Sequence, residues 1–149
     1  MDLYEEAVMY CLVANGETFV APQFEIGKGW SCPDFVAIRP SKRRVYVVEV
    51  TAAGGVGGLV EKVHARESQW ISRLRAYLEE RGVCGPDWSY SVLVFVRRDQ
   101  YDWFKGRIAD AADVTVLCLE DAIAHWEWNS SVWTSNFSFE TDALKRAAQ

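Results

Sequence analysis

Four cysteines, Cys11, Cys32, Cys84 and Cys118, are spread over 149 residues without a Cys-x-x-Cys pair. Their spacing excludes the usual thiolate zinc site and supplies no disulfide framework, so a reduced, cytoplasmic setting is expected. Histidine is as scarce. His64 and His125 stand far apart with no ligand partner beside either, and no Ser or Cys triad can be assembled around them. No apolar run approaches the roughly 20 residues that a membrane-spanning helix needs. The opening "MDLYEEAVMY" is acidic and lacks the basic start of a secretory signal. Positive charge is not in excess either: the formal net charge is -5. That excludes a polycation built to coat nucleic acid, and the placement of charge matters more than its sum.

What is present is ordinary globular material. Hydrophobic residues make up 50% and charged residues 25%, enough to build one core rather than a disordered chain. Most of the seven tryptophans are expected to pack inside it. Residues 2–15 read as a helix, capped by Asp2, acidic in its first turn and stopped by Gly16. "ETFVAPQFEI" (17–26) reads as a strand, with Pro22 marking an edge or a bulge. "PDFVAI" and "RVYVVEV" read as a hairpin. A glycine-rich link then leads into a long helix from about Leu59 to Arg81, ended by Gly82. Strands over 89–96 and 114–119 and helices over 99–109 and 120–128 complete the series. The order α-β-β-β-α-β-α-β-α predicts an α/β domain over 1–128, a mixed sheet flanked by helices. Residues 129–149, polar with alternating aromatics, form a C-terminal extension suited to an oligomer or partner contact.

Two acids interrupt the most apolar part of the chain. With the hairpin turn centred between Ser41 and Lys42, cross-strand partners have numbers that sum to 83. Ile38 then faces Val45, Val36 faces Val47, and Asp34 faces Glu49. Like charges directly opposite one another destabilise a sheet, and two buried carboxylates cannot both ionise freely. A divalent cation between them removes the conflict, and hard oxygen ligands suit Mg²⁺.

A Pro-Asp pair, a short hairpin, then Glu-x-Lys on the next strand is the signature of the PD-(D/E)XK nuclease superfamily. Pro33-Asp34 and Glu49-Val50-Thr51 resemble it, and residues 1–120 resemble its helix, three strands, helix, strand core. The layout is most similar to the Holliday-junction-resolvase and Mrr-like branches. The resemblance implies a restriction-endonuclease-like, three-layer fold that hydrolyses phosphodiester bonds, with DNA as substrate and Mg²⁺ or Mn²⁺ as cofactor. It implies Asp34, Glu49 and the Val50 carbonyl as metal ligands, and a further catalytic Glu in the first helix, matched by Glu5 with Glu6 in reserve. It also implies a homodimer or a place in a larger nuclease assembly.

One motif position departs: the family lysine is Thr51 here. This catalytic candidate shares a strand face with Glu49, and its hydroxyl could touch the metal's water shell, but it supplies no positive charge. Lys62, near the start of the long helix, is the candidate substitute cation. Gln69 resembles a glutamine that several branches carry on this helix. Lys62, Arg66, Gln69 and Arg73 recur at helical spacing, as a nucleic-acid-facing row or as a solvated face, opposite the apolar stripe Val63, Trp70, Leu74 and Leu78. Arg39, Lys42, Arg43 and Arg44 form a basic hairpin tip that could hold a nucleic-acid backbone, with Arg97 and Arg98 extending the track. "AAGGVGGLVEK" lacks the spacing of a phosphate-binding loop and reads as a strand-to-helix link. The alternative function is a catalytically lapsed relative that binds nucleic acid or serves as an assembly subunit.

Overall fold

The computed structural model describes residues 1–124. His125, the end of the helix expected over 120–128, and the extension 129–149 lie outside the described residues. Helix α1 (Leu3–Val13) starts on a reciprocal capping box. Asp2 Oδ1 accepts the Glu5 N–H at 2.8 Å and Glu5 Oε2 accepts the Asp2 N–H at 2.8 Å, so two otherwise orphaned donors are satisfied. Gly16, at φ +71, then reverses the chain.

Strands β1 (Phe19–Pro22), β2 (Phe35–Arg39) and β3 (Arg44–Val50) follow. The β2–β3 register matches the predicted sum, with Ile38 opposite Val45, Val36 opposite Val47 and Phe35 opposite Val48. The first strand is shorter than expected: Gln23, at φ +48, ends it, and residues 23–34 form a loop.

The long helix is a correction. It consists of α2 (Gly57–His64), a π-helical turn (Glu67–Ile71) and α3 (Ser72–Glu80). The wide turn lets two consecutive residues, Trp70 and Ile71, both enter the core, and the Trp70 indole N–H donates to the Ser31 carbonyl at 3.0 Å. Strand β4 (Ser89–Val96), helix α4 (Arg98–Arg107), strand β5 (Val114–Cys118) and helix α5 (Leu119–Ala124) close the fold. The order is therefore α-β-β-β-α-α-β-α-β-α.

The five strands lie in the order β1-β2-β3-β4-β5. The first three pair antiparallel, while β3–β4 and β4–β5 pair parallel, so the sheet is mixed. Strand β3 is central, and Val45 to Val48 are all buried, which explains its apolar run. On one face Val36, Val45, Val47, Val92 and Val94 meet Val63, Trp70, Leu74 and Leu78 of the predicted stripe, together with Phe104 of α4. On the other, Phe35, Tyr46, Val48, Leu93 and Phe95 meet Val8 and Leu12 of α1 and Ala122 near the chain's described end. Each fully buried aliphatic side chain contributes about 1.5–3 kcal/mol. The result is three layers. Among the described residues no helix is long and apolar enough to cross a membrane.

Candidate functional site

Strand direction decides where the chemistry collects. Because β3, β4 and β5 run parallel, their carboxyl ends share one edge of the sheet, the place where open α/β sheets bind ligands. Strand β2 runs the other way, so its first residues reach the same edge. The β2–β3 ladder ends at Phe35 and Val48; one step further along the register brings Asp34 opposite Glu49.

There the side chains take over from the backbone. Asp34 Oδ2 accepts the Val50 N–H at 2.7 Å, a donor left over where the ladder has stopped. The Glu49 carboxylate in turn accepts the Asp34 N–H. The Asp34 carboxyl is also within hydrogen-bonding contact of the Glu5 carboxyl, delivered by the first turn of α1. Burial, together with the neighbouring Glu5 and Asp2 charges, pushes Asp34 up to about 6 against the opposing effect of the Val50 N–H. Glu49 is pushed up to about 7, first by burial and then by the charge of Asp34; Lys62 and the Asp34 N–H pull the other way. These shifts follow from two carboxylates sharing one partly dry site.

The structure thus brings Glu5, Asp34, Glu49 and Lys62 together. Lys62 is exposed on α2 and its charge is felt at Glu49. Thr51 follows Glu49 at the same edge, but its Oγ1 accepts the Ala53 N–H at 3.1 Å, which turns the chain into the glycine loop. Two acids near the site were not read from sequence as site residues. Asp2 acts on Asp34 electrostatically, and its only sequence signal was as a helix cap. Glu25 sits on the 23–34 loop near Cys32, whose thiol is pushed up by burial and by the charges of Glu25, Asp34 and Glu49. An irregular loop offers no periodicity from which Glu25 could have been found.

The remaining predicted cations go elsewhere. The row on the long helix is broken by the π turn. Arg66 makes a two-pronged pair with Asp113, Nε to Oδ2 at 2.6 Å and Nη2 to Oδ1 at 2.7 Å. Arg73 donates to the Lys28 carbonyl at 2.7 Å. Gln69 is half-buried within the π turn. At the hairpin tip Arg39 is buried, 7% exposed, and bonded to Glu17 at 2.9 Å. Arg43 pairs with Asp87 and Arg44 donates to Ser89 Oγ at 3.2 Å, while Lys42 is exposed. No continuous track joins this tip to Arg97 and Arg98. Strand β4 is parallel to β3, so its end lies at the acid edge and the tip lies at the opposite one. Arg97 pairs with Asp99, and Arg98 with Glu120 and Asp121.

Among the described residues, no group of three or more His, Cys, Asp and Glu side chains is disposed to hold a metal ion. The smaller donor set of two carboxylates and a backbone carbonyl fits Mg²⁺, which keeps several waters and takes one or two protein carboxylates. The mutual repulsion already present between Asp34 and Glu49 is the feature that a cation would relieve. Two cavities, of about 360 Å³ beside β1 and about 260 Å³ between α2 and the end of α4, do not include either acid in their walls.

No family model matches the chain, and no curated protein matches it. Among solved structures the chain is similar to an XisH family protein from Nostoc punctiforme, at 18% identity and a TM-score of 0.45. The similarity covers 81% of this chain and 94% of that one. The class of the protein, an α/β domain with a mixed five-stranded sheet, rests on its own topology.

Proposed function

We propose that this protein is a Mg²⁺- or Mn²⁺-dependent endonuclease of restriction-endonuclease-like fold that hydrolyses phosphodiester bonds in DNA. The observation that carries the reading is the convergence of Asp34 and Glu49 at the carboxyl edge of the parallel strands, both pushed toward neutrality. Perturbed acids in such a place are a physical mark of a functional site. Asp34, Glu49 and the Val50 carbonyl would hold the ion, which when bound supplies a Lewis acid for phosphoryl chemistry. Glu5 positions Asp34 through their shared hydrogen bond. Lys62 takes the role of the missing motif lysine: its positive charge beside Glu49 orients the attacking water and offsets charge that develops on the phosphoryl oxygens. Water attacks phosphorus and the opposite P–O bond breaks.

A second reading is favoured by one observation. Both carboxylates already accept backbone N–H groups, from Val50 and from Asp34, so the pair can close the hairpin without an ion. On that reading the chain is a lapsed nuclease that binds nucleic acid or serves in an assembly. Incubation of the purified protein with single-stranded, duplex and branched DNA, and with RNA, separates the two. The nuclease reading predicts cleavage with Mn²⁺, none with chelator, and none from Asp34→Ala or Glu49→Ala. Binding without cleavage in every arm supports the lapsed protein.

A further inference from the structure

Residues 23–34, the loop between β1 and β2, end on the acid that the proposed site depends on. The loop is closed at its neck, where the Gln23 N–H donates to the Asp34 carbonyl at 2.9 Å. Inside, it is braced by its own groups: Trp30 is buried, and its indole N–H donates to the Phe24 carbonyl at 2.7 Å. A connecting segment of irregular backbone is mobile unless something outside it holds it down.

One face of the broken helix does the holding. Trp70, Arg73 and Tyr77 recur at i, i+3 and i+7, and each takes a different part of the loop. The Trp70 indole N–H donates to the Ser31 carbonyl at 3.0 Å. Arg73 Nη2 donates to the Lys28 carbonyl at 2.7 Å. Gly27 and Gly29, at φ +117 and +81, wrap the chain round that guanidinium, which a Cβ would meet at 3.7 Å and 3.5 Å respectively. The Tyr77 ring meets the Phe24 ring edge-on, with centroids 5.6 Å apart. Trp70 itself is delivered by the π turn, a feature that is frequent at functional sites.

We propose that Trp70, Arg73 and Tyr77 form a clamp that positions Asp34 through this loop. Asp34 lies one step beyond the last β2–β3 pair, Phe35 with Val48, so strand pairing to β3 does not fix it. Its Oδ2 reaches the Val50 N–H only while the neck of the loop stays in place. Between the clamped Ser31 and Asp34 stand only Cys32 and Pro33. The proline ring locks its own φ and restricts the residue before it, so a hold on Ser31 is passed on stiffly. An acid held in place beforehand costs no reorganisation at the moment of reaction. Arg73 thereby leaves the nucleic-acid-facing row and joins the machinery that aims an acid. The consequence for catalysis rests on the nuclease reading, while the hold on Asp34 does not.

Amide hydrogen exchange of the full chain, followed residue by residue by NMR with chelator present, tests the clamp. The Val50 N–H is the probe, because it is freed when Asp34 swings away; the Val47 and Leu93 amides inside the sheet report general loosening. Trp70→Phe keeps a ring in the core but deletes the indole N–H, and Arg73→Ala deletes the second hold. Each should speed Val50 exchange roughly fivefold or more relative to the interior amides, the scale of one lost hydrogen bond. Arg73→Lys, which keeps a donor for the Lys28 carbonyl, should match the wild type. In the cleavage assay Arg73→Ala should lower kcat roughly threefold or more and leave the KM for DNA unchanged, since a misplaced acid costs rate. Val50 exchange that keeps the wild-type ratio in both variants overturns the proposal; if Trp70→Phe does not fold, Arg73→Ala decides alone. A wild type that binds no Mn²⁺ and cuts nothing ends the nuclease reading instead, and the exchange ratios still decide the clamp.

Discussion

Glu49 stands in the most apolar strand of the protein, and what it costs there can be measured. In the metal-free protein its carboxyl is raised from its ordinary value near 4.5 to about 7. An acid with a raised folded-state value binds its proton more tightly when folded. Stability therefore falls as pH climbs through that window, and the full loss is present above it. Glu49→Gln, measured by denaturant unfolding with chelator, should be more stable than the wild type at pH 8. The gain should be on the order of 2–3 kcal/mol and should vanish near pH 4. A structural acid that merely bonds the Asp34 N–H would give the opposite sign at pH 8. Lys62→Ala should lower cleavage by roughly 10²-fold, the scale of removing one donor aimed at developing charge. It should also raise the Glu49 value further, since Lys62 is one of the two groups that pull it down. The pairing of Asp34 with Glu49 was legible in the sequence because Val36, Ile38, Val45 and Val47 leave one register that puts them all on one face of the hairpin. The internal ion pairs of Arg39, Arg43 and Arg66 were not legible, for a different reason. Their partners Glu17, Asp87 and Asp113 lie 22 to 47 residues away, beyond any local pattern.

Among elements, α1 does more than cover the sheet: its capping box holds Glu5 where it meets Asp34. Asp2→Ala should cost about 1 kcal/mol of stability through the lost cap. It should also reduce cleavage, while a cap-neutral change at exposed Leu3 should not. The break between α2 and α3 is stabilised by the Arg66–Asp113 pair, which ties the π turn to the start of β5. Asp113 is held below the ordinary carboxylate range by that hydrogen bond. Its contribution is thus present above the unfolded value and is lost as pH falls through the lowered folded value. Arg66→Ala should destabilise by about 1–2 kcal/mol at pH 7, and the difference from wild type should shrink in acid. The break itself was hidden because Val63, Trp70, Leu74 and Leu78 keep helical spacing across it. An apolar stripe records which side is buried, and a π turn preserves that side.

At the scale of the whole molecule, the sheet sorts its charges to two ends. The carboxyl edge gathers Asp2, Glu5, Asp34, Glu49 and Lys62, and the hairpin tip carries Lys42 and the paired arginines. Element order, apart from the break in the long helix, was readable from hydrophobic period together with caps and glycines, but strand order and direction were not. Only the parallel pairing of β3 with β4 shows that Arg97 and the tip face opposite ways. With a net charge of -5 and most arginines internally paired, nucleic-acid affinity should be modest and steeply weakened by salt. The central claim is that the Asp34 and Glu49 oxygens share one divalent ion. Anomalous scattering from a crystal soaked in Mn²⁺ tests it most directly. The account predicts one manganese peak between the two carboxylates, absent in Asp34→Ala. Carboxylates still turned to the Val50 and Asp34 N–H groups, with no peak between them, would contradict it.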